Sequence, residues 1–174
     1  QYLPGPNGNS CLILSGNQNN GGTIRGLTFR GGSDLKGGGI KLENCSPTLS
    51  DLIFEENNAE NGGGLYLAES DAVLKNLLFK SNTANYGGGL YIESSEPYIQ
   101  NLTLESNISY WGGGAYFKNS NTIVQEGKIL NNESFIEGGG IYIDGGSLNA
   151  EGISFEYNNG FDFGGAISAT ESII

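Results

Sequence analysis

Phe54-Glu55-Glu56-Asn57-Asn58-Ala59-Glu60-Asn61-Gly62-Gly63-Gly64-Leu65-Tyr66-Leu67 is answered twenty-five residues later by Phe79-Lys80-Ser81-Asn82-Thr83-Ala84-Asn85-Tyr86-Gly87-Gly88-Gly89-Leu90-Tyr91-Ile92. Self-similarity at a fixed period marks a solenoid, in which each repeat buries its apolar side only against its neighbours. Outward from this pair the pattern holds. Triple-glycine blocks open at Gly37, Gly62, Gly87, Gly112 and Gly138, and a degenerate block, Phe163-Gly164-Gly165, follows, giving spacings of 25, 25, 25, 26 and 25. Seventeen residues after each block start stand Phe54, Phe79, Leu104, Ile129 and Phe155, with Phe29 ahead of them. Three residues further on comes a column of Asn57, Asn82, Asn107, Asn132 and Asn158, interrupted at its start by Gly32.

Within a unit, apolar residues alternate in short bursts: Leu65 and Leu67, then Leu74, then Leu77 and Phe79. Bursts this short suit strands and not amphipathic helices. The chain is therefore expected to be all-β, a single-stranded parallel β-helix of about 25 residues per coil, three short strands per coil and six to seven coils. At about 4.8 Å per coil, the rod would be roughly 30 Å long. Residues 1–174 form one domain in this reading, with a lead-in over 1–10, coils from about 11, repeats at 37–61, 62–86, 87–111, 112–137 and 138–162, and a partial coil over 163–174. Glycine permits positive φ and close backbone approach at corners, and a buried Asn row can hydrogen-bond along its own ladder, so both columns have a structural explanation without a ligand.

Gly is the commonest residue, with 30 copies, yet no collagen period accompanies it, and a hydrophobic content of 37% supplies a core. A formal charge of -11 with only eight Lys and Arg argues against nucleic acid as a partner. No run of about eighteen apolar residues is present, so no membrane insertion by this segment is expected. Beginning at Gln1 and stopping in mid-pattern at Ile174, the chain reads as a mature or excised piece of a longer protein. Cys11 and Cys45 fall at different points of the repeat, and no disulfide between them is predicted.

Phe54-Glu55-Glu56-Asn57 before Gly62-Gly63-Gly64-Leu65, Phe79-Lys80-Ser81-Asn82 before Gly87-Gly88-Gly89-Leu90, and Phe155-Glu156-Tyr157-Asn158 before Gly164-Gly165-Ala166-Ile167 resemble the repeats of the polymorphic outer-membrane proteins of chlamydiae and related bacterial surface proteins. Five linked copies span roughly residues 29 to 168, with Leu104 and Ile129 in place of Phe in two. The resemblance implies a right-handed parallel β-helix exported to the bacterial cell surface, often adhesive. A secreted, extracellular or cell-surface location follows from it.

β-helices also carry polysaccharide lyases and hydrolases, whose catalytic groups would stand on the outward columns. The position after the second inward residue gives Glu43, Ala68, Glu93, Lys118 and Asp144, and the position after the Phe column gives Glu55, Lys80, Glu105, Leu130 and Glu156. These acids are dispersed, and the alternating signs of Glu55, Lys80 and Glu105 suggest lateral charge pairing. With no His in the chain, His-dependent catalysis is excluded. No catalytic residue, metal or cofactor is expected. Asn107 and Asn132 match glycosylation sequons, but on the inward column, where a glycan would not fit.

Tyr66, Tyr91, Tyr116 and Tyr142 share one outward column and are expected to form an exposed ladder, extended near its edge by Tyr86, Tyr110 and Trp111. Such a face suits a glycan, a surface-protein ligand or self-association. The rod's two uncovered ends suggest end-to-end stacking as a second route to self-association. The sequence thus points to a non-catalytic extracellular scaffold acting in adhesion or as a structural, filament-forming subunit. The alternative is a carbohydrate-binding or carbohydrate-active β-helix protein.

Overall fold

The computed structural model describes residues 8–18 and 21–174, and most of the expected lead-in lies outside them. Of that lead-in, Asn9 and Ser10 already pair as part of a coil: the Asn9 carbonyl accepts from the Ser33 N–H at 3.1 Å, and Ser10 Oγ donates to Asp34 at 3.0 Å. Among the described residues there is no helix, and every strand pairing is parallel.

The repeat explains how the chain closes on itself. In the coil opening at Gly62, the backbone enters the left-handed region four times, at Gly62 (φ 65), Glu69 (φ 49), Asn76 (φ 51) and Ser81 (φ 54). Gly62, Glu69 and Ser81 turn the chain from one face to the next, and Asn76 bends it within Val73–Lys80. Three of the four are not glycine, at a cost of about 1 kcal/mol or more apiece that the packed stack must outweigh.

Three faces result. The first carries Ile40–Cys45, Leu65–Ala68, Leu90–Glu93, the beginnings of Ala115–Leu130 and Ile141–Glu156, and Ile167–Ile173. The second carries Thr48–Glu55, Val73–Lys80, Tyr98–Glu105 and the latter parts of the two long strands. The third carries Ser33–Lys36, Asn58–Asn61, Ile108–Trp111, Glu133–Glu137 and Asn159–Gly160.

Inward rows stack like on like. Phe54 and Phe79 lie parallel at 4.6 Å, and Phe29 stacks on Phe54 at 5.5 Å. Leu104 and Ile129 continue that column, fully buried, and Phe155 ends it partly buried. The Asn column forms the expected ladder. Asn82 Oδ1 accepts from both the N–H and the Nδ2 of Asn57, at 3.1 and 3.0 Å, while its own Nδ2 donates to the Phe54 carbonyl at 2.9 Å and to Asn107 Oδ1 at 3.0 Å. The same pattern recurs at Asn107 and Asn132, and the Oδ1 of Asn158 accepts from Asn132. These amides are consumed by the structure.

The glycine blocks act through both conformation and space. Gly87 has φ 63, and a Cβ on Gly88 would run into the carbonyl of Gly113 and lie 2.7 Å from that of Ile108. No side chain fits between coils there.

The last coil corrects the repeat boundaries. The extra residue expected between Glu133 and Glu137 is a bulge, with Ser109 opposite Ser134 but Trp111 opposite Glu137. It recurs one coil later, where Ser134 faces Gly160 and Glu137 faces Phe163. Ile141 therefore pairs with Ile167, the final spacing is 26, and the degenerate block begins at Gly164 (φ 61), not at Phe163.

Candidate binding surface

The tyrosine column occupies one register, Tyr66 opposite Tyr91, Tyr91 opposite Tyr116 and Tyr116 opposite Tyr142. Their rings stack along the rod at 5.4, 5.2 and 5.2 Å. The ladder exists but is not exposed: Tyr66 is 1%, Tyr91 4% and Tyr116 6% accessible, and Tyr142 is half-buried.

Two flanking columns close over it. On one side Tyr86 and Trp111 stack on each other at 5.0 Å, and Tyr86 sets its edge against Tyr116 at 5.4 Å. On the other, Glu93 accepts from the Tyr66 hydroxyl at 3.0 Å and Asp144 from the Tyr116 hydroxyl at 2.9 Å. Lys36 caps the free face of Tyr66, its Nζ 4.7 Å from the ring centre. Burial first, then the Glu93 hydrogen bond, pushes the Tyr66 hydroxyl far above the usual tyrosine range. Burial and the hydrogen bond to Asp144 do the same for Tyr116, and burial with the charge of Glu93 for Tyr91. Period-two alternation put these side chains on the outside of the sheet; neighbours taller than the rings put them out of reach of solvent.

The exposed aromatic surface lies on the next corner. Tyr110, Phe135 and Phe161 follow one another along the third face, with Tyr110 and Phe135 rings 5.6 Å apart. Tyr86, Trp111 and Phe163 run beside them, and Trp111 meets Tyr110 at 6.3 Å. Phe161 is 79% and Phe163 69% exposed, while Tyr86, Tyr110, Trp111 and Phe135 are half-buried. The repeated bulge raises this ridge, because each extra residue lifts the strand out of the regular ladder. Ser134 Oγ sits 2.7 Å from the carbonyls of both Tyr110 and Glu137, fixing the first bulge, and the Asp162 N–H donates to the Ile136 carbonyl at 2.8 Å across to the second. The sequence reading flags Tyr86, Tyr110 and Trp111 but neither Phe135, which lies 25 residues after Tyr110, nor Phe161 and Phe163, whose partners in the preceding coil lie 26 residues back.

A second feature is a notch of about 300 Å³ beside the tyrosine column, lined by Lys36, Glu43, Tyr66, Glu69, Glu93 and Ser94. It arises where Ala68 stands between Glu43 and Glu93 in their column. Both carboxylates are tethered: Glu93 to Lys118 at 3.1 Å and Glu43 to Lys41 at 2.9 Å and Lys36 at 3.4 Å. Although burial opposes it, Lys41 and then Lys36 hold the Glu43 carboxyl below the usual range. On the second face, Glu105 pairs with Lys80 at 3.2 Å as expected, whereas Glu55 turns to Arg30 at 3.7 Å.

One polar column escaped the sequence reading. Ser70, Ser95 and Ser120 form a buried hydroxyl ladder in which the Ser70 N–H donates to Ser95 Oγ at 3.0 Å and the Ser95 N–H to Ser120 Oγ at 3.3 Å. Cys45 heads this ladder as a buried free thiol, raised in pKa by burial, and Cys11 is free and exposed. Among the described residues, no three Cys, Asp or Glu side chains gather as a metal site would require.

A family model described as the right handed beta helix region matches residues 10–172. No curated protein and no solved structure matches the chain.

Proposed function

The chain belongs to the right-handed β-helix family, and on that footing we propose that it is a non-catalytic scaffold, outside the cell or on its surface, acting in adhesion or as a structural, filament-forming subunit. The observation that carries this reading is the aromatic ridge. Large rings stand in solvent on a corner whose backbone is anchored coil by coil, and exposed apolar surface of this kind on a rigid support suits contact with a partner. The outward acids Glu43, Glu93 and Asp144 are consistent with the same reading, since each is held by a lysine or a tyrosine hydroxyl.

The test is binding of the labelled protein to a panel of immobilised glycans and surface proteins, beside an assay for release of reducing or unsaturated sugar ends from polysaccharides. Binding without turnover, reduced by Tyr110→Ser and Phe161→Ser, is expected. The notch between Glu43 and Glu93 favours the carbohydrate-active alternative, because it gathers carboxylates and a lysine around a space of monosaccharide size. Product release that disappears in Glu93→Gln would select that alternative.

A further inference from the structure

The adhesive reading leaves open what chemistry the ridge accepts, and the local charge supplies an answer. Carboxylates are interleaved with the rings: Glu133 adjoins Phe135, Glu137 lies opposite both Trp111 and Phe163, and Asp162 sits between Phe161 and Phe163. After Lys128 the sequence holds Glu133, Glu137, Asp144, Glu151, Glu156, Asp162 and Glu171 but no Lys or Arg. Among the described residues, every ion pair lies at or before Lys118, so the ridge acids Glu133, Glu137 and Asp162 are held in no ion pair within the chain.

We propose that this ridge docks an arginine-bearing segment of a partner protein, a proposal that rests on the adhesive-scaffold reading. A guanidinium is planar and weakly hydrated, so it lies flat on a tyrosine, tryptophan or phenylalanine ring while its N–H fork engages a neighbouring carboxylate. The ridge offers both partners side by side. Lysine, a compact and strongly hydrated point charge, gains less from the rings. A second copy of this chain fits poorly, because ridge against ridge would set carboxylates against carboxylates.

Trp111 is the chain's single tryptophan, so its fluorescence reports on the ridge alone. The experiment is a titration of the whole chain with octa-arginine, octa-lysine and cellohexaose, following Trp111 emission at low and moderate salt. Octa-arginine is expected to give a saturable change and to bind at least tenfold more tightly than octa-lysine. Phe161→Ser with Phe163→Ser should weaken it at least tenfold, while Tyr98→Ser on the second face leaves it unchanged. Both phenylalanines are exposed, so the coils should persist, which far-UV circular dichroism checks. Equal binding of the two peptides, indifferent to the double substitution, would reduce the effect to bulk charge and overturn the proposal. A response to cellohexaose alone would also overturn it while keeping the ridge as an adhesive surface. Silence towards all three probes would overturn it too, and the panel of immobilised surfaces would then decide the broader reading.

Discussion

Replacing Asn82 by Ala tests whether the inner amide ladder holds the coils together. Four hydrogen bonds end on this side chain, two accepted from Asn57 and two donated, to the Phe54 carbonyl and to Asn107 Oδ1. Alanine leaves the Asn57 N–H, in a fully buried residue, facing a gap that water cannot easily fill. An orphaned buried donor costs about 1–3 kcal/mol, and three further hydrogen bonds at about 0.5–1.5 kcal/mol each bring the expected loss to about 5 kcal/mol. Against a total stability of about 5–15 kcal/mol for a domain, that is a large fraction. Urea unfolding followed by far-UV circular dichroism, extrapolated linearly to water, measures it. The control is Asn101→Gly, which removes an exposed amide contact to Asn76 while keeping a residue suited to φ 55; it should change stability by less than about 0.5 kcal/mol. A loss for Asn82→Ala below about 1 kcal/mol, or no larger than that of the control, would refute the view that the ladder carries structural weight.

Gly88→Val should prevent cooperative folding, since its branches would occupy the space of the Gly113 and Ile108 carbonyls; an unchanged melting temperature would remove the close-approach argument. Thr122→Val should raise stability by about 1–2 kcal/mol in the same urea assay, because the Thr122 hydroxyl is buried without a partner in a column otherwise built from Pro47, Ala72, Pro97 and Leu148. Stability should also fall at alkaline pH. The unfolded chain releases tyrosine protons near pH 10, whereas the folded chain holds those of Tyr66, Tyr91 and Tyr116, so their contribution is intact below about pH 10 and is lost as the pH rises above it. Melting temperatures between pH 8 and 12, read beside tyrosinate absorbance, check this; early titration of all nine tyrosines without loss of structure would contradict it.

The parts legible in the sequence were those in which one residue type does one job at a fixed spacing. Glycine at the corner and asparagine in the ladder each repeat because no other side chain meets the same steric and hydrogen-bonding demands, and the core column repeats as large apolar residues, Phe or in two coils Leu104 and Ile129. The serine ladder has the same logic but hides behind Cys45 at its head and among many other serines. Burial of Tyr66, Tyr91 and Tyr116 was not legible, because alternation reports which side of a strand a residue occupies and not the height of its neighbours. The ridge was obscured in part by its own cause: Phe135 keeps the 25-residue spacing from Tyr110, but the added residues set Phe161 26 after Phe135 and Phe163 26 after Glu137.

Both polar ladders point the same way. The N–H of Asn57 waits for the oxygen of Asn82, that of Asn82 for Asn107, and the N–H of Ser70 for the hydroxyl of Ser95. Each coil is thus completed by the one that follows it in the chain. Each Asn Nδ2 also reaches back to a carbonyl of the preceding coil, Asn57 to Phe29, Asn82 to Phe54, Asn107 to Phe79 and Asn132 to Leu104, so one amide fastens three successive coils as a rivet fastens plates.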